Sequence, residues 1–166
     1  MVSKSNKDEW GGFRMKEVVY SLVKGIIRDI NTCTDEIFAE KTMGDGFLII
    51  PKDKTVVSPV NGVVKSVFPT KHAITILTDK GNKILIHVGI DTVELEGKYF
   101  EQMVQNESYV KVGQPLLKAD FDKITEQGYD VSVLVIVLSN VQMRKENLNK
   151  EVDGCVPVLT LSDEKN

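Results

Sequence analysis

Apolar and polar positions alternate along most of this chain in runs of five to seven residues, with a turn signal closing each run. Period-two alternation is the mark of strands, whose side chains point to opposite faces in turn. The runs that read as strands are EVVYSLV, GIIRDI, GFLIIP, TVVSPV, GVVKSVF, AITILT, KILIHV, VKVGQPLLKA, VSVLVIV and VPVLTL. Lys24-Gly25, Asp45-Gly46, Asn61-Gly62 and Lys80-Gly81 punctuate them, since Gly and Asn accept the positive φ of tight turns. Only KYFEQMVQN and FDKITEQG predict helices, both short. Many brief strands with one or two short helices predict an all-β protein, an antiparallel sandwich or barrel.

The first residues, MVSKSNKDEWGGF, carry no such period. They predict a flexible tail over 1–15, with Trp10 or Phe13 docking on a partner or on the domain. The domain is expected over 16–162, followed by a short tail at 163–166.

Composition narrows the function classes. The 166 residues are 42% apolar and 27% charged, as in a folded globular chain. A net charge of -3 argues against a nucleic-acid binder, which carries a basic excess. No apolar run approaches a membrane span and no signal peptide is evident, so a cytoplasmic location is expected. Cys33 and Cys155 lie far apart without a C-x-x-C pattern, which predicts ordinary buried or half-buried thiols.

The two histidines of the chain, His72 and His87, stand at the ends of one expected hairpin. An even-numbered loop, Lys80-Gly81 or Asp79 to Asn82, sets Ile74 opposite His87 and His72 opposite Gly89. The two imidazoles are then diagonal neighbours on one face, roughly 7 Å apart at the backbone. A three-residue loop slips the register by one and sends them to opposite faces. They could be strand histidines with no task. Gly89 opens space beside His87, however, and Asp91 lies four residues on. Two adjacent imidazoles suit phosphoryl relay, one ring as nucleophile and the other as donor to the phosphoryl oxygens. A metal site needs further ligands. H-x-x-x-D also occurs in zinc peptidases of the lysostaphin type, but their further H-x-H has no counterpart here, which disfavours a zinc hydrolase.

From about Val18 to Leu161 the chain resembles the glucose-type enzyme IIA of the bacterial phosphoenolpyruvate-dependent sugar phosphotransferase system. The likeness is carried by FAEKTMGDGFLIIP (Phe38 to Pro51), SPVNGVV (Ser58 to Val64), FPTKHA (Phe68 to Ala73), ILIHVGIDTVEL (Ile84 to Leu95) and YVKVGQPLL (Tyr109 to Leu117). It implies a β-sandwich of the duplicated hybrid motif type and a monomeric phosphocarrier acting as a phosphotransferase component. His87 matches the family's phosphorylated histidine, His72 its companion, and Thr70 the hydroxyl that bonds that companion. His87 is expected to use its other nitrogen on the carbonyl of Gly89, and the even-loop register is the one this chemistry calls for. Asp35 and Asp91 match acidic positions flanking the site. Ile37, Phe38, Met43, Phe68, Leu85 and Val93 match an apolar docking collar.

The implied partners are HPr as donor and the enzyme IIB domain of a sugar permease as acceptor, with regulated target proteins also possible for the collar. Neither nucleic acid nor membrane insertion is implied. No cofactor is required, although the two histidines could share a zinc with a partner's carboxylate. The chain departs from the family at SLVKG (Ser21 to Gly25), which lacks the usual proline, at Thr42, where an apolar collar residue is common, and in a slightly compressed ending, EVDGCVPVLTL.

Overall fold

The computed structural model describes residues 15–163. Most of the expected 1–15 tail, with Trp10 and Phe13, and all of the 163–166 tail but Asp163 lie outside the described residues. Strands follow one another as β1 (Lys16–Tyr20), β2 (Gly25–Asp29), β3 (Asp45–Pro51), β4 (Thr55–Val57), β5 (Gly62–Val67), β6 (Ala73–Thr78) and β7 (Lys83–Val88). They continue as β8 (Phe100–Gln102), β9 (Tyr109–Val110), β10 (Pro115–Ala119), β11 (Val133–Val137), β12 (Gln142–Lys145), β13 (Glu151–Val152) and β14 (Pro157–Ser162). Two short helices, α1 (Glu36–Ala39) and α2 (Phe121–Glu126), interrupt them.

All the strand pairings are antiparallel. One large sheet runs β13-β2-β3-β11-β7-β6-β5-β9, and two small sheets run β1-β14-β12 and β4-β10-β8. Ile27, Phe47, Ile49, Ile74, Ile76, Ile84 and Ile86 of the large sheet form one buried core with Val19, Leu159 and Leu161 of one small sheet and Val56, Phe100 and Leu117 of the other. This is the layered β-architecture that the alternation predicts.

A second cluster lies on the other side of the large sheet. Leu48, Ala73, Leu85, Leu134 and Ile136 pack there with Ile30, Cys33 and Ile90, and Phe38 and Ala39 of α1 lean on them. Strand β11 is therefore buried on both faces, which is why VLVIV is unbroken by a polar residue.

The expected helix over KYFEQMVQN is instead β8. Phe100 and Val104, both buried, have the i, i+4 spacing of a helix face. Glu96, Gly97 and Tyr99 all take positive φ, which breaks a helix, and Leu117 of β10 pairs with Gln102 instead. Asp45-Gly46 is not a turn but the start of β3. Gly46 is needed there because a Cβ would fall 1.9 Å from the Val135 carbonyl oxygen. VKVGQPLLKA is split between β9 and β10 by a turn in which Gly113 has φ +90°. Cys33 is buried as expected, whereas Cys155 is exposed.

Lys145 of β12 links two sheets. Its Nζ lies 3.0 Å from Asp29 Oδ1 and 2.6 Å from Asp45 Oδ1, and donates to the Gly46 carbonyl at 2.8 Å. The segment between β2 and β3, which carries α1, is thus anchored at both roots. Lys145→Met is expected to lower stability by about 1–2 kcal/mol, because two half-buried carboxylates lose their shared cation. Urea unfolding at neutral pH measures this; an unchanged midpoint would show that the triad is mere surface decoration.

Candidate functional site

The hairpin β6–β7 carries both histidines, and its register corrects the expectation. The loop has three residues, 79–81: Thr78 N–H donates to the Asn82 carbonyl, Gly81 N–H donates to Thr78, and Gly81 takes φ +89°. Ala73 therefore stands opposite His87, where the even-loop register would have put Ile74. Strict alternation would then send the two imidazoles to opposite faces. They nevertheless meet, with ring centroids 4.9 Å apart and planes at 85°.

The reason is that His72 precedes the regular strand. Its carbonyl still accepts from Val88 N–H at 2.7 Å, but the chain before it turns, with Lys71 at φ +64° and Lys71 N–H donating to Phe68. Freed from the alternation, the His72 side chain lies over the face that His87 shares with Ala73 and Leu134.

Each ring has its Nδ1 engaged. Thr70 Oγ1 lies 2.8 Å from His72 Nδ1, and His87 Nδ1 lies 2.8 Å from the Gly89 carbonyl oxygen. A carbonyl can only accept, so His87 carries its proton on Nδ1 and keeps a lone pair on Nε2. Gly89 reaches this position at φ +82°, where a Cβ would sit 2.4 Å from Thr92 Cγ2.

Both rings favour the neutral state. Burial, reinforced by the proximity of His87, pushes the His72 pKa down from 6.5 to about 4. Burial also lowers that of His87, against the bond to Gly89 and the negative charges of Asp35 and Asp91. The two aspartates are therefore within electrostatic reach of His87. Asp35 also caps α1, accepting from Ile37 N–H at 2.9 Å, while Asp91 is exposed at φ +62°.

Aromatic rings flank the pair. Phe38 stands 5.1 Å from His87 and Phe68 stands 5.7 Å from His72, edge to face. Ile37, Met43, Phe68 and Val93 expose 57%, 44%, 39% and 49% of their surface, large values for apolar side chains. Leu85 does not belong with them. Alternation with Ile84 and Ile86 turns it to the face of His87, and there the second cluster, with Ile30, Cys33 and the residues of α1, buries it. Thr42 is exposed beside Met43.

Helix α1, which sets Phe38 beside His87, was not among the expected elements. Asp35 followed by Glu36 is a short capping signal, but four residues fall below the length at which periodicity shows. Asp130 was also missed. Its Oδ1 accepts from Ser132 N–H at 2.9 Å and Ser132 Oγ at 2.8 Å, and its Oδ2 accepts from Thr34 Oγ1 at 2.8 Å. Asp-x-Ser just before a strand is the signal that could have marked it as a local turn builder.

Among the described residues no group of three or more His, Cys, Asp or Glu side chains is placed to hold a metal ion. None of the helices among them is long and apolar enough to cross a membrane.

The family model for the phosphoenolpyruvate-dependent sugar phosphotransferase system, EIIA 1, matches residues 17–143. The glucose-specific EIICBA component of Staphylococcus carnosus is 46% identical over 127 residues, which are 76% of this chain and 19% of that protein. The glucose-specific EIIA component of Staphylococcus epidermidis is 38% identical over 147 residues, 87% of this chain and 89% of that one. Among solved structures, glucose permease IIA from Mycoplasma capricolum superposes with a TM-score of 0.78 at 32% identity, covering 88% of this chain and 96% of that one. The chain spans about a fifth of the length of the multi-component relatives it matches first.

Proposed function

The chain belongs to the EIIA 1 family of the phosphoenolpyruvate-dependent sugar phosphotransferase system, and from that premise we propose that it is a phosphocarrier. His87 Nε2 takes the phosphoryl group from the phosphohistidine of HPr and gives it to the cysteine of an enzyme IIB domain. The observation that carries this reading is the pairing of two buried-edge imidazoles, each with Nδ1 engaged, so that Nε2 of each ring is the nitrogen left to act.

In the forward step the Nε2 lone pair attacks phosphorus, the new N–P bond forms, and the N–P bond to the donor histidine breaks with its electrons returning to that ring. His87 needs no base, because the bond to Gly89 already holds its proton on Nδ1. With Thr70 Oγ1 donating to Nδ1, His72 carries its proton on Nε2 and can donate it to a phosphoryl oxygen. Asp35 and Asp91 are suited to pair with cationic side chains on the docking partner. The collar of Ile37, Phe38, Met43, Phe68 and Val93 excludes water from a hydrolysable phosphohistidine while the partner is seated. A zinc here would need His72 to move its proton from Nε2 to Nδ1; the two Nε2 atoms would then supply two ligands, with a partner's carboxylate among the rest.

The test is incubation with phosphoenolpyruvate, enzyme I and HPr, read by intact mass. One acid-labile phosphoryl group is expected, dependent on HPr; no mass increment would overturn the assignment.

The exposed apolar collar favours a second role on the same face, binding target proteins according to phosphorylation state. Adding roughly two negative charges at its centre would repel a partner that buries it. Pull-downs with the unmodified and phosphorylated protein should return different partners; identical sets would remove this role.

A further inference from the structure

We infer that Asp130 is a positioning residue for His87, holding in one arrangement the carbonyl that fixes the tautomer of His87 and the segment that carries the flanking Phe38. The inference rests on the reading of His87 as phosphoryl acceptor. The ring of His87 is aimed by the Gly89 carbonyl, so the question is what aims Gly89. Gly89 N–H donates to the Ser132 carbonyl at 2.8 Å, and Ile90 N–H donates to the Asp130 carbonyl at 2.9 Å. The Gly89–Ile90 peptide is therefore laid on residues 130–132, a stretch just before β11 that has no ladder of its own.

The Asp130 carboxylate supplies what the ladder does not. Oδ1 closes a turn on Ser132 through both N–H and Oγ, and Oδ2 reaches across to Thr34. Thr34 immediately precedes Asp35, which caps α1 and so sets Phe38 beside His87. One side chain thus joins the two segments that meet at the reacting ring. Burial works against its charge, but the bonds from Ser132 and Thr34 outweigh it and hold the carboxyl below the usual range. The anion that these donors need is present at neutral pH.

Histidine nitrogen NMR reads the claim without any phosphoryl donor, so it answers even if the chain never accepts phosphate. Wild type is expected to show His87 as the single Nδ1–H tautomer. Asp130→Ala should turn His87 into a tautomer mixture, leave His72 unchanged, and slow acceptance from phospho-HPr by about 10-fold to 100-fold. Asp130→Asn should restore both, because its Oδ1 can still accept from Ser132 and its Nδ2 can donate to Thr34 Oγ1. Unchanged His87 signals and rate in a folded Asp130→Ala protein would overturn the inference. So would equal losses in the alanine and asparagine variants. If Asp130→Ala does not fold, Thr34→Val decides: a shifted His87 signal and a slower rate support the link, and wild-type behaviour in both removes it.

Discussion

His87→Ala is expected to reduce acceptance from phospho-HPr to background, whereas His72→Gln should still be labelled but pass the group on about 100-fold to 1000-fold more slowly. The asymmetry follows from the atoms. Alanine removes the only nitrogen at the site with a free lone pair and a fixed orientation, and a hydroxyl or amide cannot replace it. Glutamine at 72 keeps an N–H donor of similar reach but loses the constraint that Thr70 places on the ring, at a distance of 2.8 Å. The acceptor lone pair on His87 is untouched, so the protein can be charged. What weakens is the aimed donor that offsets the phosphoryl oxygens in the transition state, and loss of one such donor costs rates of that order. Quench-flow transfer to a IIB domain separates the two steps. Label surviving in His87→Ala, or onward transfer at the wild-type rate in His72→Gln, would refute the assigned roles.

The all-β layering was legible because burial imposes alternation directly, and β6, β7 and β11 stand where their apolar runs predict. The hairpin register was not. Loop parity depends on whether Gly81 takes a left-handed φ and Thr78 Oγ1 receives Asn82 N–H, and both are local bonding choices that the pattern does not encode. The meeting of the histidines survived that error because His72 sits outside the period-two segment. Its direction is set by the turn at Lys71, so the regular geometry applied to it was the wrong rule. Leu85, which matches the collar by family resemblance, does share the face of His87, but the second cluster covers it there, and which residues cover a strand face is not written in the strand's own pattern. Helix α1 is too short for a period to show, and its cap, Asp35 accepting from Ile37 N–H, is a local bond. Asp130 reaches Thr34 from a distant part of the chain, and a pairing at that separation leaves no mark in the local pattern.

Stability of the wild-type protein is expected to fall by about 3 kcal/mol between pH 6.5 and pH 4, with His72→Gln losing most of that dependence. The sign follows from proton binding. In the unfolded chain His72 binds its proton as pH drops through 6.5, whereas in the fold it resists until about 4. Across that window the unfolded state holds more protons, so acid favours unfolding, and the stabilisation present above 6.5 is gone below 4. His72 is 4% exposed, so little solvent screening reduces the effect. His87 acts in the same direction but less strongly, being half-buried and facing Asp35 and Asp91, which support its charged form. Its contribution does not simply add, since a proton on either ring opposes one on the other. The carboxylates with lowered pKa, Asp29 and Asp130, begin to lose their contributions from about pH 5 downward, as the unfolded carboxyls start to bind protons, so the upper part of the window isolates the imidazoles. Urea unfolding at half-unit pH steps for wild type and His72→Gln gives the two slopes. A parallel pair of curves from pH 6.5 to 4 would mean that His72 is not held neutral by the fold, and the donor geometry drawn for it at the phosphoryl group would go with it.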